Sequence, residues 1–196
     1  VMEPRVPRAL KILHKLFLDA SAELQLPIRF ALIGGLAMSA WGVIRATEDI
    51  DILADSTPSP LRSPAFRDRL TEILEGSGCK CEWRVGDVDD PIPLLLRITL
   101  PRAAHNLTAD VLCAHKRWQR EALGRIIKLR VSRMEVYVLH PEDLILMKLE
   151  AGGPRDLLDI EEMLFKAPSE LNLRRLKRKA AQLRLGTELS KCLRRI

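Results

Sequence analysis

The sequence predicts an α+β fold that ends in a purely helical segment, and three observations carry this. Strand-like stretches fall between Phe30 and Leu139, interleaved with helical periodicity. After His140-Pro141 every periodic stretch is helical. The chain has 196 residues, enough for one generous domain or a domain with an appendage, and can bury roughly 70% of its unfolded surface without disulfide or metal staples. The division expected is a core over residues 1–139 and a helical C-terminal subdomain over 140–196.

The elements follow in order. Leu10, Leu13, Leu16, Phe17, Ala20 and Leu24 recur at i, i+3, i+4 spacing, which predicts a helix over Arg8 to Leu24 that Pro27 stops. Phe30 to Ile33 reads as a short buried strand broken by Gly34-Gly35, and Leu36 to Val43 as a helix-compatible run. Asp49 to Leu53 alternates, with Asp49, Asp51 and Leu53 on one face and Ile50 and Ile52 on the other. Three prolines and three serines over residues 56–64 predict a surface loop, and Pro64 suits the first position of a helix running to Glu75. Cys79 to Val85, Leu94 to Leu100 and Leu107 to Cys113 read as strands, His115 to Leu123 as a short helix. Ile126 to Val131 and Glu135 to Leu139 form a hairpin. Pro141 starts a helix whose first turn carries Glu142 and Asp143, favourable at the positive end of the dipole. Gly152-Gly153 stops it, Pro154 starts another, and a last helix is expected from Pro168 to Leu185.

Composition excludes several classes. With 47% hydrophobic and 30% charged residues the chain is neither disordered nor membrane-embedded, and no apolar run approaches a membrane span. No signal peptide is visible, which points to the cytoplasm. Cys79, Cys81, Cys113 and Cys192 lack zinc-ligand spacing and read as apolar or incidental thiols of a reducing compartment. The four histidines show no ligand spacing either. The net charge is +6, yet residues 166–196 hold ten basic against two acidic side chains, so this tail carries +8 and the body −2.

Three features carry chemistry. A strand followed by Gly34-Gly35 and a helix start lets a ligand approach the backbone, where free N–H groups favour phosphate. Asp49 and Asp51, two apart on a strand, project from one face; they are either solvated surface acids or neighbours neutralised by a divalent cation. Asp110 is a lone acid in the apolar run Leu107 to Cys113, costly to bury without a partner. A neighbouring strand could bring it to the same cluster, where three carboxylates suit two magnesium ions about 3.5–4 Å apart and in-line phosphoryl displacement.

These residues resemble a known family. Ile33-Gly34-Gly35, a thirteen-residue spacer and Asp49-Ile50-Asp51-Ile52 look like the signature of the DNA polymerase β-like nucleotidyltransferase superfamily. The run Gly34-Gly35-Leu36-Ala37, Trp41-Gly42, Arg45, Thr47, Asp49, Asp51 is similar to its minimal bacterial branch, the AbiEii-like toxin nucleotidyltransferases. Lys148, Pro154-Arg155-Asp156 and Asp159 resemble that branch's downstream motif. The resemblance spans roughly residues 28–165 and implies a nucleotidyltransferase fold, a mixed sheet flanked by helices. It implies that Gly34 and Gly35 cradle phosphates and that Asp49 and Asp51 bind Mg2+ or Mn2+. Asp110 would be third ligand and candidate base. Lys148 would contact nucleotide phosphates, and Asp156 would orient Lys148 or act near the acceptor. Arg45 and Thr47 fall in the nucleotide-binding run. Many active relatives have Ser where Gly35 stands; Ser39, one helical turn on, could substitute.

Each secondary residue also has a plainer reading. Arg45 is either a phosphate clamp or an ion pair with Glu48. Lys148 on an apolar helix is either a ligand contact or a snorkelling surface lysine. Asp156 and Asp159 share a helix face and either serve the site or pair with Arg155 or a lysine. The basic tail either tracks a nucleic-acid backbone or is a solvated face; no aromatic residue follows Phe165, so it offers no stacking platform. The expected function is metal-dependent transfer of a nucleoside monophosphate from an NTP to an acceptor hydroxyl on RNA, such as tRNA, or on protein. A toxin role with an antitoxin partner belongs to the same reading. The alternative is an inactive nucleotidyltransferase-like module that binds RNA or a protein partner.

Overall fold

The computed structural model describes residues 5–43, 49–56, 63–87, 92–131 and 134–196. In chain order these form α1 (Arg5–Glu23), β1 (Ile28–Leu32), α2 (Gly34–Ala40), β2 (Ile50–Ser56), α3 (Pro64–Gly76), β3 (Lys80–Val85), β4 (Leu94–Thr99) and β5 (Thr108–Cys113). Then follow α4 (Arg117–Leu123), β6 (Ile127–Val131), β7 (Met134–Val138), α5 (Pro141–Ala151), α6 (Pro154–Lys166), α7 (Leu173–Gln182) and α8 (Gly186–Leu193). The predicted α+β class with its helical end is what the chain adopts.

The seven strands of the described residues make one mixed sheet in the order β3-β4-β5-β2-β1-β7-β6. The central strand β2 runs antiparallel to β1 and parallel to β5, and β4 returns antiparallel to β5. Alternation along β2 explains its position. Ile50 and Ile52 are buried at 0% and 2% exposure, each contributing about 1.5–3 kcal/mol of transfer free energy, while Asp51 between them points to the other face. On the isoleucine side α1 packs its stripe of Leu10, Leu13, Phe17 and Ala20.

The apolar core is continuous from Val6 in α1 to Leu189 and Cys192 in α8, so it runs through the boundary expected at residue 140. Trp41 fastens that junction, its indole Nε1 donating to the Leu139 carbonyl at 3.0 Å. All four cysteines are free thiols. Burial pushes those of Cys81 and Cys113 up to about 12, so they stay protonated and inert.

The C-terminal end departs from expectation. In place of the one helix expected over 168–185 stands the shorter α7 (Leu173–Gln182), and a further helix, α8 (Gly186–Leu193), follows it. Asn172 ends the loop after α6, its side chain accepting the Arg175 N–H at 2.9 Å, so α7 starts only at Leu173. Arg184 with φ of 61° turns the chain, and Leu189 and Cys192 bury α8.

Candidate active site

The loop from β1 enters α2 through Gly34, and two observations make glycine obligatory there. Its φ is +59°, and a Cβ would lie 2.0 Å from Asp51 Oδ2. The missing side chain is the space that the Asp51 carboxylate fills. The Ile33 N–H donates to the Asp51 carbonyl at 2.9 Å and fixes the loop against β2.

Register brings the second carboxylate alongside. Asp51 on β2 pairs directly with Asp110 on parallel β5, so both side chains rise from the same face. Asp110 is in turn the register partner of Arg97 on β4. The Arg97 guanidinium takes both of its oxygens, Nε to Oδ1 and Nη2 to Oδ2, each at 2.7 Å. The hydrogen bond to Asp110 and then its charge raise the Arg97 pKa; Glu82 and Asp49 add to this in smaller measure, against desolvation.

The opposite wall comes from α5 and the start of α6. Lys148 is buried on α5, its Nζ held by Asp156 Oδ1 at 2.9 Å and Asp159 Oδ2 at 2.6 Å. Asp156 also accepts the Gly153 N–H through Oδ2 at 3.2 Å, which caps α6 and sets the carboxylate. The surface-snorkelling reading of Lys148 is therefore wrong. The plainer reading of Asp156 and Asp159 as partners of a nearby lysine holds, and that lysine is Lys148.

Between the walls lies a cavity of about 560 Å³. Ile33, Gly34, Gly35, Asp51 and Asp110 line it from the sheet side, Lys148 and Asp156 from the helical side. Ile92, Leu95, Leu112, Leu144 and Met147 give it an apolar flank, and the Lys116–Glu150 ion pair at 3.0 Å sits on its lining. Six of the residues singled out from sequence thus meet at one cavity. Asp49 is exposed, just ahead of β2, and is not among the lining residues; neither is Ser39, half-buried in α2. Arg45 and Thr47 lie outside the described residues, as does the Arg45–Glu48 alternative.

Hard carboxylate oxygens at Asp51 and Asp110 on adjacent strands have the chemistry that a divalent cation such as Mg2+ or Mn2+ takes. Their chemistry fits such an ion, both Asp51 and Asp110 lining the cavity and Asp49 standing two residues ahead of Asp51 on the chain. Among the described residues, however, no three carboxylate, His or Cys groups stand close enough to form a ligand cluster, and Asp110 already commits both oxygens to Arg97.

Arg97 is the residue beside the site that the sequence reading missed. Its signal was present. Leu94-Leu95-Leu96-Arg97-Ile98 places a lone cation in an apolar strand, just as Asp110 is a lone acid in one.

A mixed sheet with paired acids beside a glycine turn at a helix start defines a nucleotidyltransferase fold, and comparison with known proteins agrees. Residues 16–109 match the family model of the AbiEii nucleotidyl transferase toxin of type IV toxin–antitoxin systems. Residues 104–188 match a second family, described as a nucleotidyltransferase of unknown function. Between them these models span residues 16–188, and both describe nucleotidyltransferases. No curated protein matches the sequence.

Solved structures share the fold at low identity. The solution structure of the antibiotic-resistance factor ANT(2'')-Ia is 19% identical with a TM-score of 0.52, over 93% of this chain and 95% of that one. A crystal structure of that factor with adenylyl-2''-tobramycin is 18% identical with a TM-score of 0.52, over 90% and 97%. An antigenic nucleotidyltransferase-like protein from Paracoccidioides brasiliensis is 19% identical with a TM-score of 0.54, over 99% and 94%.

Proposed function

We propose that the protein transfers a nucleoside monophosphate from an NTP to an acceptor hydroxyl on RNA, such as tRNA, or on protein. The bond formed joins the acceptor oxygen to the α-phosphorus, and the bond broken releases pyrophosphate. The observation that carries this reading is the convergence of Gly34, Gly35, Asp51, Asp110, Lys148 and Asp156 on one cavity from segments far apart in sequence.

In this reading the α2 N-terminus and its glycines receive phosphate oxygens through backbone N–H groups. Asp49 and Asp51, with Asp110, hold Mg2+ or Mn2+, which supplies charge neutralisation at the phosphates when bound. Lys148 is pinned by two carboxylates and presents a fixed positive charge to the cavity. Asp110 is the carboxylate placed to take the acceptor proton once Arg97 yields an oxygen. The match to a type IV toxin model supports a growth-arresting role opposed by an antitoxin, and a cytoplasmic location belongs to the same proposal. No helix of the described residues is long and apolar enough to cross a membrane.

The test is incubation of the protein with Mg2+, each labelled NTP and tRNA or candidate proteins. Label should pass to an acceptor, and Asp49→Ala and Asp51→Asn should each abolish transfer with the melting temperature near that of the wild type. Transfer that survives both substitutions would sink the site assignment. The inactive-module reading has one observation in its favour, the Arg97 fork on Asp110. It requires salt-sensitive RNA or partner binding that is indifferent to Mg2+ and to Asp51→Asn.

A further inference from the structure

Four register-paired residues form a row across one face of the sheet. Glu82 on β3 pairs with Arg97 on β4, Arg97 with Asp110 on β5, and Asp110 with Asp51 on β2. Glu82 is exposed and engaged by Arg84 at 3.0 Å, so the fork of Arg97 goes to Asp110. Without a cation, Asp51 and Asp110 are like charges directly opposite one another, an arrangement that repels. A planar guanidinium that meets both oxygens of one of them relieves this, and does so with geometry that a lysine would not reproduce. The pair is accessible, with Arg97 at 36% and Asp110 at 24% side-chain exposure, so the bond can exchange with solvent and ions.

We propose that Arg97 is a displaceable counter-ion built into this site. It holds Asp110 in the cation-free protein, competes with the divalent cation for the same oxygens, and thereby sets how tightly the free cation binds. The proposal rests on the metal-dependent reading of the cavity. Its consequence is functional. A cation alone binds weakly, and one that arrives with a triphosphate brings enough additional contacts to displace the guanidinium, so that loading of metal and nucleotide is coupled.

The test is Mn2+ titration of the full chain, read by the electron paramagnetic resonance of free Mn2+ and by the cation-induced rise in melting temperature, with no nucleotide present. Arg97→Gln should melt lower than wild type without Mn2+. It should bind Mn2+ about fivefold or more tightly and gain more from it in melting temperature. Arg97→Lys, which keeps the charge and loses the fork, should fall between the two, and it carries the test if the Gln variant does not fold. Asp51→Asn should lose Mn2+ binding. Mn2+ affinity unchanged in both Arg97 variants but lost in Asp51→Asn overturns the counter-ion role and leaves the metal site standing. No Mn2+ binding by any of the proteins overturns both.

Discussion

Lys148 has a structural place in the fold and, in the proposed reading, a second task at the cavity. It is buried, so its charge requires partners, and Asp156 and Asp159 supply them from the next helix. It also lines the cavity, where the same charge faces any bound phosphate. Lys148→Met leaves Asp159 buried beside an apolar chain and should destabilise the fold by about 3 kcal/mol in urea unfolding. The structural and functional tasks separate in the double variant Lys148→Met/Asp159→Asn. It removes the buried charge as well and should recover most of the lost stability while NTP binding, followed by isothermal titration, stays absent. Nucleotide binding restored along with stability would reduce Lys148 to a packing role. At this scale the sequence was informative about identity and silent about pairing. A glycine pair, a DxD on an alternating strand and a lone acid in an apolar strand each carry a local signal. That Arg97 faces Asp110 depends on the register of β4 against β5, and that Lys148 is buried depends on how α6 closes over α5. Neither is written in local spacing.

Among the elements, α5 joins the site to the C-terminal helices. Its middle and C-terminal half present Leu144, Met147, Lys148 and Glu150 to the cavity, while its first turn buries Glu142 and Asp143 at 1% and 0% exposure. From sequence these two acids read as favourable charges at a helix start. The structure gives them more specific partners. Asp143 binds Arg125 at 2.7 Å and Lys179 of α7 at 2.9 Å, and Glu142 Oε1 accepts the Asn172 N–H at 3.2 Å. Helix α7 is thus locked to α5 by charge, which the linear periodicity of its apolar stripe did not foretell. His140, the residue just before the first turn of α5, has its Nδ1 3.8 Å from Glu142 Oε2. Burial lowers its pKa from 6.5, against the pull of Glu142 and Asp143. The unfolded chain therefore takes up a proton that the folded one resists, so stability is full above pH 6.5 and falls as pH drops below it. His140→Gln should flatten that part of the profile. The check is the urea midpoint of both proteins at about pH 5.5 and about pH 7.5, and an equal loss in the two would exclude His140 as the cause.

Over the whole molecule, charge is divided between two tasks. The cavity lining holds Asp51, Asp110, Glu150 and Asp156 against Lys116 and Lys148, an acidic balance suited to cations rather than to a second polyanion. The tail holds the opposite sign, but not all of it is presented outward. Lys179 neutralises buried Asp143, and Arg195 pairs with Glu161 at 2.8 Å, whereas Arg174, Lys177 and Arg178 stand exposed on α7. Because α7 packs on α5, this basic face is fixed to the helix that lines the cavity. An RNA acceptor would be held there by its phosphates, with affinity that falls steeply with salt and carries no base preference. The triple substitution Arg174→Gln/Lys177→Gln/Arg178→Gln tests this without touching any cavity residue. It should weaken tRNA binding uniformly across sequences and lower the slope of log affinity against log salt by roughly 2–3 units, while NTP binding is unchanged. A filter-binding series at several salt concentrations reads the slope directly. If the slope is unchanged while tRNA remains an acceptor, the polyanion approaches by another face, and the exposed charges of α7 serve only to balance the acidic body. If the slope falls and transfer falls with it at fixed salt, the basic helix and the acidic cavity work on one substrate, the first holding its backbone and the second its reacting hydroxyl.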